Sequence, residues 1–316
     1  MEQAPPPDDR SRPPADEAPG PEPLPGGPTP AAPTLARRTD GSPDWPPWFG
    51  FVGFLGAIVC TLIASGIVLA IAGVDEGDNS PAIVVVATLI QGIFFVGAAL
   101  VLGRAVAAPR PWQFGLRRAP LWRTVGWAAL GMLAFYVLTA VYAAIVQPDA
   151  EQDVVDSLGA NDGTLGLVAA GLMVMVVAPF VEEFFFRGFF YRALRTRYPI
   201  YAAAVVNGAI FGIIHFSFDG ADALLILPPL MFLGAIFCLV YEKTGSLWSV
   251  IGMHAFNNAV AFSAQVDDGW RIAVFAGPLM LAACIVLPRL MRDGPSPFPP
   301  ARERVDPNPQ LSLPVE

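Results

Sequence analysis

Long stretches of the chain contain no Asp, Glu, Lys or Arg, and short polar segments separate them. An α-helix crosses the hydrocarbon core of a bilayer in about 20 apolar residues. Eight stretches reach or approach that length, at 48–74, 81–103, 124–148, 163–181, 198–218, 223–241, 244–266 and 272–288. The pattern predicts an all-α polytopic membrane protein, a bundle of about eight transmembrane helices.

The composition agrees with this interpretation, because 54% of the 316 residues are hydrophobic and only 15% are charged. Both ends of the chain differ from the rest: they are rich in proline and lack the apolar periodicity from which a core could be built. We therefore predict a disordered Pro-rich tail over 1–47, an eight-helix membrane domain over 48–289 and a second disordered tail over 290–316.

Arginine and lysine fall mainly on one side of the membrane if the chain crosses it eight times. Five arginines lie between the second and third spans, three follow the fourth, and Lys243 lies between the sixth and seventh. Only Arg271 falls on the opposite side, where acidic residues collect. By the positive-inside rule, both termini are predicted to be cytoplasmic, in an integral protein of the cell membrane. The net charge of −8 reflects acidic outer loops and the tail, and it indicates no nucleic-acid partner.

Ionisable side chains within spans cost about 2.5–3.5 kcal/mol each at mid-helix, so they are functional candidates by default. The two histidines of the chain, His215 and His254, lie in apolar stretches, and Glu182, Glu183 and Arg187 continue the fourth stretch. Glu183 and Arg187 have the i, i+4 spacing of a helical ion pair. Glu182 points about 100° away around the helix and has no local partner. It must find donors on another helix, become protonated or take part in chemistry.

Polar partners for Glu182 are available on two later spans. His254 and Asn258 are again i and i+4, so they present an imidazole and a carboxamide on one helix face. Phe211 and His215 repeat the spacing. A single buried histidine is more often a structural hydrogen-bonding group, but the placement of both histidines in spans, one of them beside Asn258, favours a functional site within the membrane.

Three short motifs follow one another in the order Glu182-Glu183-x-x-x-Arg187, Phe211-x-x-x-His215 and His254-x-x-x-Asn258. Together they resemble the CPBP family of intramembrane endopeptidases, the type II CAAX prenyl protease and Abi bacteriocin-immunity group. The resemblance covers 163–264, including "APFVEEFFFRGFFYRAL" and "GMHAFNNAV", and "FGLRR" at 114–118 is similar to a short upstream segment of the family. In these motifs Phe211 and the Glu183–Arg187 pair are expected to support the site.

The resemblance implies an eight-helix protease that hydrolyses a peptide bond of a membrane-associated protein or peptide near the cytoplasmic side. Glu182 is then the general base, which acts with His215 on an attacking water. His254 and Asn258 would stabilise the oxyanion. These roles suit the residue types, because a carboxylate in a partly dry pocket is adapted to act as a base and two donors at one point suit a developing negative charge.

A metal-dependent mechanism is the alternative for the same site, because the family has also been described as metalloproteases. Glu182, His215 and His254 could hold Zn²⁺ with a water in the fourth position. The chain lacks the pair of histidines on one helix that many zinc peptidases use. No cofactor is favoured, and Zn²⁺ stays open.

Two functions without hydrolysis compete with the protease. In a membrane scaffold or chaperone, the polar residues would only join helices, through hydrogen bonds of about 0.6–2 kcal/mol. The unpaired Glu182 is evidence against that function. A proton-coupled transporter would also use intramembrane Glu and His, but it would be expected to show repeated halves, and the sequence has no convincing repeat.

Overall fold

The structure, a computed structural model, describes residues 43–74, 80–148, 154–216, 221–266 and 269–290. Its regular elements within these ranges are all helical. The long helices are α1 (Pro47–Ala72), α2 (Pro81–Val106), α3 (Leu121–Val146), α4 (Thr164–Arg195), α5 (Ile200–Ile213), α6 (Leu227–Thr244), α7 (Leu247–Ala264) and α8 (Gly277–Val286). Apart from 43–47 and residue 290, the predicted tails lie outside the described residues.

The predicted all-α polytopic membrane fold is confirmed. Among the described residues, 5 helices are long and apolar enough to cross a membrane: α1, α2, α3, α4 and the segment Leu224–Thr244 that contains α6. Two shorter apolar helical segments, Ile200–Ile213 and Val274–Leu290, coincide with further predicted spans. The count of eight crossings and the cytoplasmic termini remain predictions.

Proline and glycine mark several helix ends. Pro47 and Pro81 are the first residues of α1 and α2, where the missing N–H removes no helical hydrogen bond and the fixed φ suits the helix. Gly73 ends α1 at φ 65° and Gly245 ends α6 at φ 66°. A side chain is disfavoured in this left-handed conformation, so glycine permits a sharp stop. These signals divide the apolar sequence into separate helices.

The outer surface is apolar, as a surface that faces lipid would be. Leu62 and Ile71 on α1 are 68% and 82% exposed. The phenylalanine-rich part of α4 is instead the centre of the core, where Phe185, Phe186 and Phe189 are fully buried. These phenylalanines therefore pack in the core and do not face lipid.

Helices α5 and α6 approach closely where both carry glycine. A Cβ on Gly208 would lie 2.6 Å from the Met231 carbonyl oxygen, and one on Gly234 would lie 2.9 Å from the Gly208 Cα. Small residues let membrane helices pack backbone to backbone, because lipid tails provide no hydrophobic drive for association. This contact brings the backbone of α6 to the buried side of α4.

Trp45, two residues before α1, belongs to the core. Trp45 is fully buried, its indole N–H donates to the Gly103 carbonyl at 3.2 Å, and its ring packs against Phe114 and Phe189. Trp45 falls within the segment 1–47 that we expected to be a tail, so ordered packing begins before that boundary. In the upstream "FGLRR" segment, the Phe114 carbonyl accepts a hydrogen bond from the Tyr241 hydroxyl at 2.9 Å.

Candidate active site

Helix α4 is irregular around the adjacent glutamates. An α-helical segment, Ala178–Glu183, lies between two π-helical segments, Met173–Val177 and Phe184–Tyr191. Pro179 stands in the first turn of the α-helical segment and cannot donate a backbone hydrogen bond to the preceding turn. π-Helical turns are rare in proteins, and those that occur are often found at functional sites. Glu182 and Glu183 therefore lie on a short regular segment between two widened ones.

Two asparagines from other helices bind the two π-helical segments. Asn207 on α5 donates from Nδ2 to the Phe186 carbonyl at 3.0 Å, and its Oδ1 accepts from the Cys238 thiol at 3.1 Å. Asn258 on α7 donates from Nδ2 to the Val174 carbonyl at 2.8 Å. Each asparagine holds one widened turn against a neighbouring helix. Asn207 is not among the site residues predicted from the sequence, although an amide within an otherwise apolar stretch was the available signal.

Glu183 is the centre of a fully buried polar cluster. Its Oε1 accepts from Arg187 Nη1 at 2.8 Å, which is the ion pair expected from the i, i+4 spacing. The same oxygen lies 2.9 Å from His254 Nδ1. A carboxylate oxygen only accepts hydrogen bonds, so Nδ1 carries the proton and donates. Glu183 thus orients His254 as well as neutralising Arg187, a second contact that the sequence analysis did not predict.

Arg187 is held by more than its carboxylate. Its Nη2 donates to the Gly234 carbonyl on α6 at 2.9 Å. The guanidinium carbon lies 4.3 Å from the centre of the Phe211 ring and 5.2 Å from that of Phe237. Cation–π contacts of this kind are stronger where water is excluded. Arg187 consequently joins α4, α5 and α6 at one buried point.

Glu182 differs from its neighbour in exposure and in bonding. Its side chain is 16% exposed, against 0% for Glu183 and 4% for His254. Its Oε2 lies 3.9 Å from His254 Nε2 and has no hydrogen-bond partner among the described residues. The two nitrogens of His254 therefore face the two adjacent glutamates, one in a hydrogen bond and one at a longer distance. Glu182 thus has the more exposed side chain of the two glutamates, and its buried Oε2 has no partner among the described residues.

His215 lies near the end of the described part of its span and is half-buried. Its Nδ1 lies 2.9 Å from the carbonyl oxygen of Phe211 on the preceding turn. Because that carbonyl only accepts, Nδ1 carries the proton, and Nε2 of the neutral ring is an acceptor. The Phe211 ring lies 5.0 Å from the His215 ring and 5.8 Å from the His254 ring, centroid to centroid. Phe211 therefore contacts both imidazoles and the Arg187 guanidinium.

The structure brings the site residues together to different degrees. Glu182, Glu183, Arg187 and His254 form one cluster, and Phe211 connects it to His215. The amide of Asn258 contacts α4 one segment earlier, at Val174. No group of three His, Cys, Asp or Glu side chains in the described part of the chain is placed to hold a metal ion.

These features describe a membrane-embedded helical bundle with a Glu, His and Arg cluster buried among its helices. Residues 164–260 match the model of the "Type II CAAX prenyl endopeptidase Rce1-like" family. The match contains all three motifs, from Glu182 to Asn258, and it confirms the CPBP resemblance for this part of the chain. The matched family is one of proteases.

A curated relative, "Uncharacterized protein YyaK" of Bacillus subtilis (strain 168), is 26% identical to the chain over 141 residues. The alignment covers 43% of this chain and 46% of the relative. The chain thus aligns with less than half the length of that protein. No solved structure matches the chain significantly.

Proposed function

We propose that the chain is an intramembrane endopeptidase in which Glu182 activates a water molecule. The supporting observation is the arrangement around His254, whose Nδ1 is 2.9 Å from Glu183 and whose Nε2 is 3.9 Å from Glu182. Glu183 is fully buried and its Oε1 accepts from both Arg187 and His254, whereas the Glu182 side chain is partly exposed. Of the two carboxylates, Glu182 is the one that a water and a peptide could reach.

The reaction begins with proton transfer from water to the Glu182 carboxylate. As the O–H bond breaks, the water oxygen forms a bond to the carbonyl carbon of the substrate peptide, and the carbonyl oxygen becomes an oxyanion. His215 assists through Nε2, which accepts a hydrogen bond from the same water because Nδ1 is committed to the Phe211 carbonyl. Protonated Glu182 then gives its proton to the leaving nitrogen as the C–N bond breaks. The products are a carboxylic acid and an amine, and Glu182 returns to its starting form.

The oxyanion would be stabilised by His254 and Asn258. The Asn258 carboxamide has two N–H donors, and only one is committed to Val174. His254 can donate from Nε2 only as the imidazolium, because Nδ1 already donates to Glu183. With this imidazolium, the cluster of Arg187, His254, Glu182 and Glu183 carries two positive and two negative charges before the reaction, and the oxyanion replaces the negative charge of Glu182 once Glu182 has taken the proton. Neutrality lowers the cost of holding charges in a dry site.

The proposed substrate is a membrane-associated protein or peptide, because the site lies among helices that are apolar enough to cross a bilayer. No described contact specifies a prenyl group. The proposed location is the cell membrane with both termini cytoplasmic, and the support for this orientation is the one-sided placement of arginine.

The proposal contains no metal. The alternative ligand set, Glu182, His215 and His254, does not form a three-residue metal group among the described side chains. Nδ1 of each histidine is engaged in a hydrogen bond within the protein, which leaves Nε2 of each ring available in either mechanism. We expect purified protein to hold less than one zinc per chain and to keep its activity after prolonged chelation. One tightly bound metal per active chain, with activity lost on removal and restored by return, would establish the metal-dependent alternative.

The decisive experiment identifies new protein N-termini in membranes of cells that express the wild type or Glu182→Gln at equal levels. Wild type should generate N-termini that are absent with Glu182→Gln. The matched control is Asp162→Asn, which removes an exposed carboxylate just before α4 and should leave cleavage unchanged. Identical N-termini with wild type and Glu182→Gln, at equal folded levels, would exclude Glu182 as the base.

A non-catalytic membrane scaffold is the second candidate, and the satisfied contacts of the cluster favour it. Arg187, Glu183 and His254 bond to one another, and Asn258 bonds to α4. In a scaffold these contacts would only join helices. The same experiment separates the two functions, because a scaffold would show no change in N-termini with Glu182→Gln.

A further inference from the structure

The outer surface of the protein carries a groove at the beginning of α3. The groove has a volume of about 220 Å³ and is lined by Trp122, Arg123, Gly126, Trp127 and Leu130. These residues recur every three or four positions, so they share one side of the helix. The groove faces outward, because Trp122 is 81% exposed and Leu130 is 54% exposed.

Two cations lie at this groove, one in its lining and one beside its Trp127 ring. Arg123 precedes Trp127 by one helical turn and lines the same groove. From the last turn of α6, the Lys243 ammonium reaches 5.3 Å from the centre of the Trp127 ring. Neither cation has a carboxylate partner in the part of the chain that the structure describes. The neighbouring acid, Glu242, is bound by Arg195 through both of its oxygens. Arg123 in the groove and Lys243 beside its Trp127 ring therefore each keep a positive charge available.

The position of the two cations along their helices indicates which part of a bilayer they would contact. The cations lie at the first turn of α3 and the last turn of α6, so they belong to the same end of two helices that are apolar enough to span a membrane. Away from this end, Leu130, Leu133 and Val137 form an exposed apolar stripe on α3. The cations and indoles thus lie at one end of this surface, and the apolar stripe continues from them along α3. A phospholipid has the same order, with a charged headgroup followed by apolar acyl chains.

We propose that this groove binds one anionic phospholipid of the surrounding bilayer. The lipid phosphate lies between Arg123 and Lys243, and an acyl chain passes over Gly126 and along Leu130. Gly126 leaves room for the chain, since a Cβ built at this position meets no atom within 4 Å. Indole rings suit the headgroup level of the membrane. The predicted orientation places this end on the cytoplasmic side, where anionic lipids collect.

The test is the retention of lipid by the purified full-length chain. Dioleoyl phosphatidylglycerol and dioleoyl phosphatidylcholine, which share acyl chains and differ in headgroup charge, are titrated separately, and bound lipid is counted by native mass spectrometry. Wild type should bind phosphatidylglycerol at least about tenfold more tightly. Arg123→Gln and Lys243→Gln should each weaken that binding about fivefold, since one cation near a membrane surface is worth about 1 kcal/mol toward anionic lipid. Together they should remove the preference.

Matched controls distinguish a site from general charge or hydrophobicity. Arg271→Gln removes another cation that lies over an indole, Trp270 at 5.5 Å, and should not change lipid binding. Gly126→Leu fills the groove without removing charge and should weaken binding of both lipids. Gly56→Leu adds the same side chain on α1, where a Cβ also meets nothing within 4 Å, and should have no effect.

Three results would overturn the proposal. The first is equal binding of the two lipids by wild type, which would mean that Trp122 and Trp127 lie at the membrane interface without a site for an anionic lipid. The second is an equal loss with Arg271→Gln and Arg123→Gln, which would indicate a response to net charge. The third is unchanged binding in Gly126→Leu, which would place the lipid elsewhere.

Discussion

Helix α4 carries two ion pairs of different construction. Arg195 binds Glu242 on α6 through two nitrogens, at 3.0 and 2.9 Å, and the Tyr191 hydroxyl also donates to Glu242 at 3.1 Å. Both oxygens of Glu242 are therefore engaged. Glu183 and Arg187 are fully buried, yet all bonds to Glu183 converge on Oε1, while Oε2 and the Arg187 Nε have no partner among the described residues.

The difference indicates different roles for the two pairs. A bidentate arginine–carboxylate pair with its oxygens satisfied fixes two helices in place. A buried pair that leaves polar atoms unsatisfied is costly, and such a cost needs an explanation. At Glu183 the explanation is His254. Glu183 Oε1 binds Nδ1 of this histidine, and Nε2 of the same ring then lies 3.9 Å from Glu182 Oε2. We therefore infer that one pair joins α4 to α6 and the other prepares the site.

Removal of the arginine from each pair tests this comparison with the largest expected effect. Arg187→Leu should lower the free energy of unfolding by about 3–5 kcal/mol, because Glu183 would be left as a buried unpaired charge. Arg195→Leu should cost about 1–3 kcal/mol, because Glu242 is partly accessible to water and keeps the Tyr191 hydroxyl. Unfolding in detergent or bicelles, followed by steric trapping, measures both. Equal losses would contradict the comparison.

Neutralisation of Glu183 separates orientation from ion pairing. In Glu183→Gln the carboxamide oxygen can still accept hydrogen bonds but no longer carries the charge that pairs with Arg187, so we expect a smaller stability loss, about 2–3 kcal/mol, together with a fall in cleavage rate of about 10- to 100-fold. The matched change Glu242→Gln should lower stability alone. The amounts of cleaved substrate and of folded protein are measured in the same membranes. Unchanged cleavage per folded Glu183→Gln molecule would exclude the positioning of His254.

A change in the distance between α5 and α6 tests the backbone contact of Arg187. In Gly208→Ala the new methyl group would meet the backbone of Met231 and Ala235 within 2.7 Å, so the helices must separate. The expected loss in unfolding free energy is about 1–3 kcal/mol. Gly97→Ala is the control, because a Cβ added at Gly97 would have no neighbouring atom within 4 Å. A stability of Gly208→Ala equal to that of wild type would contradict the close approach.

The smallest expected effect concerns the π-helical segment between the two pairs. Asn207→Leu removes the donor to the Phe186 carbonyl and should cost about 1–3 kcal/mol, toward the lower end if the turn relaxes to α-helical hydrogen bonding. Asn257→Leu, on a half-buried position of α7, is the control for loss of an intramembrane amide. Hydrogen exchange of α4 should increase in Asn207→Leu near Phe186. Unchanged exchange there would contradict a role for Asn207 in holding the segment.

The amino-acid sequence alone determined the class of fold and the local pairs. Long uncharged stretches cannot satisfy their backbone in lipid except as helices or closed barrels, and their length favours helices. The i, i+4 spacing likewise places Glu183 beside Arg187 whatever surrounds them. The motifs from Glu182 to Asn258 carried the resemblance that the family match confirmed over 164–260. Each of these features is defined by the order and spacing of residues along the chain.

Only the tertiary structure decided which distant groups meet. The bond from His254 to Glu183 joins residues that are 71 positions apart, and it made Glu183, not Glu182, the nearer partner of that imidazole. The widened turns of α4 and the contact of Asn207 with Phe186 were likewise absent from the sequence pattern. Helical spacing specifies which side chains share a face, but helix packing and small backbone shifts decide which faces touch. In a site of four charged or polar groups, a rotation of one helix by a single residue would exchange the two glutamates.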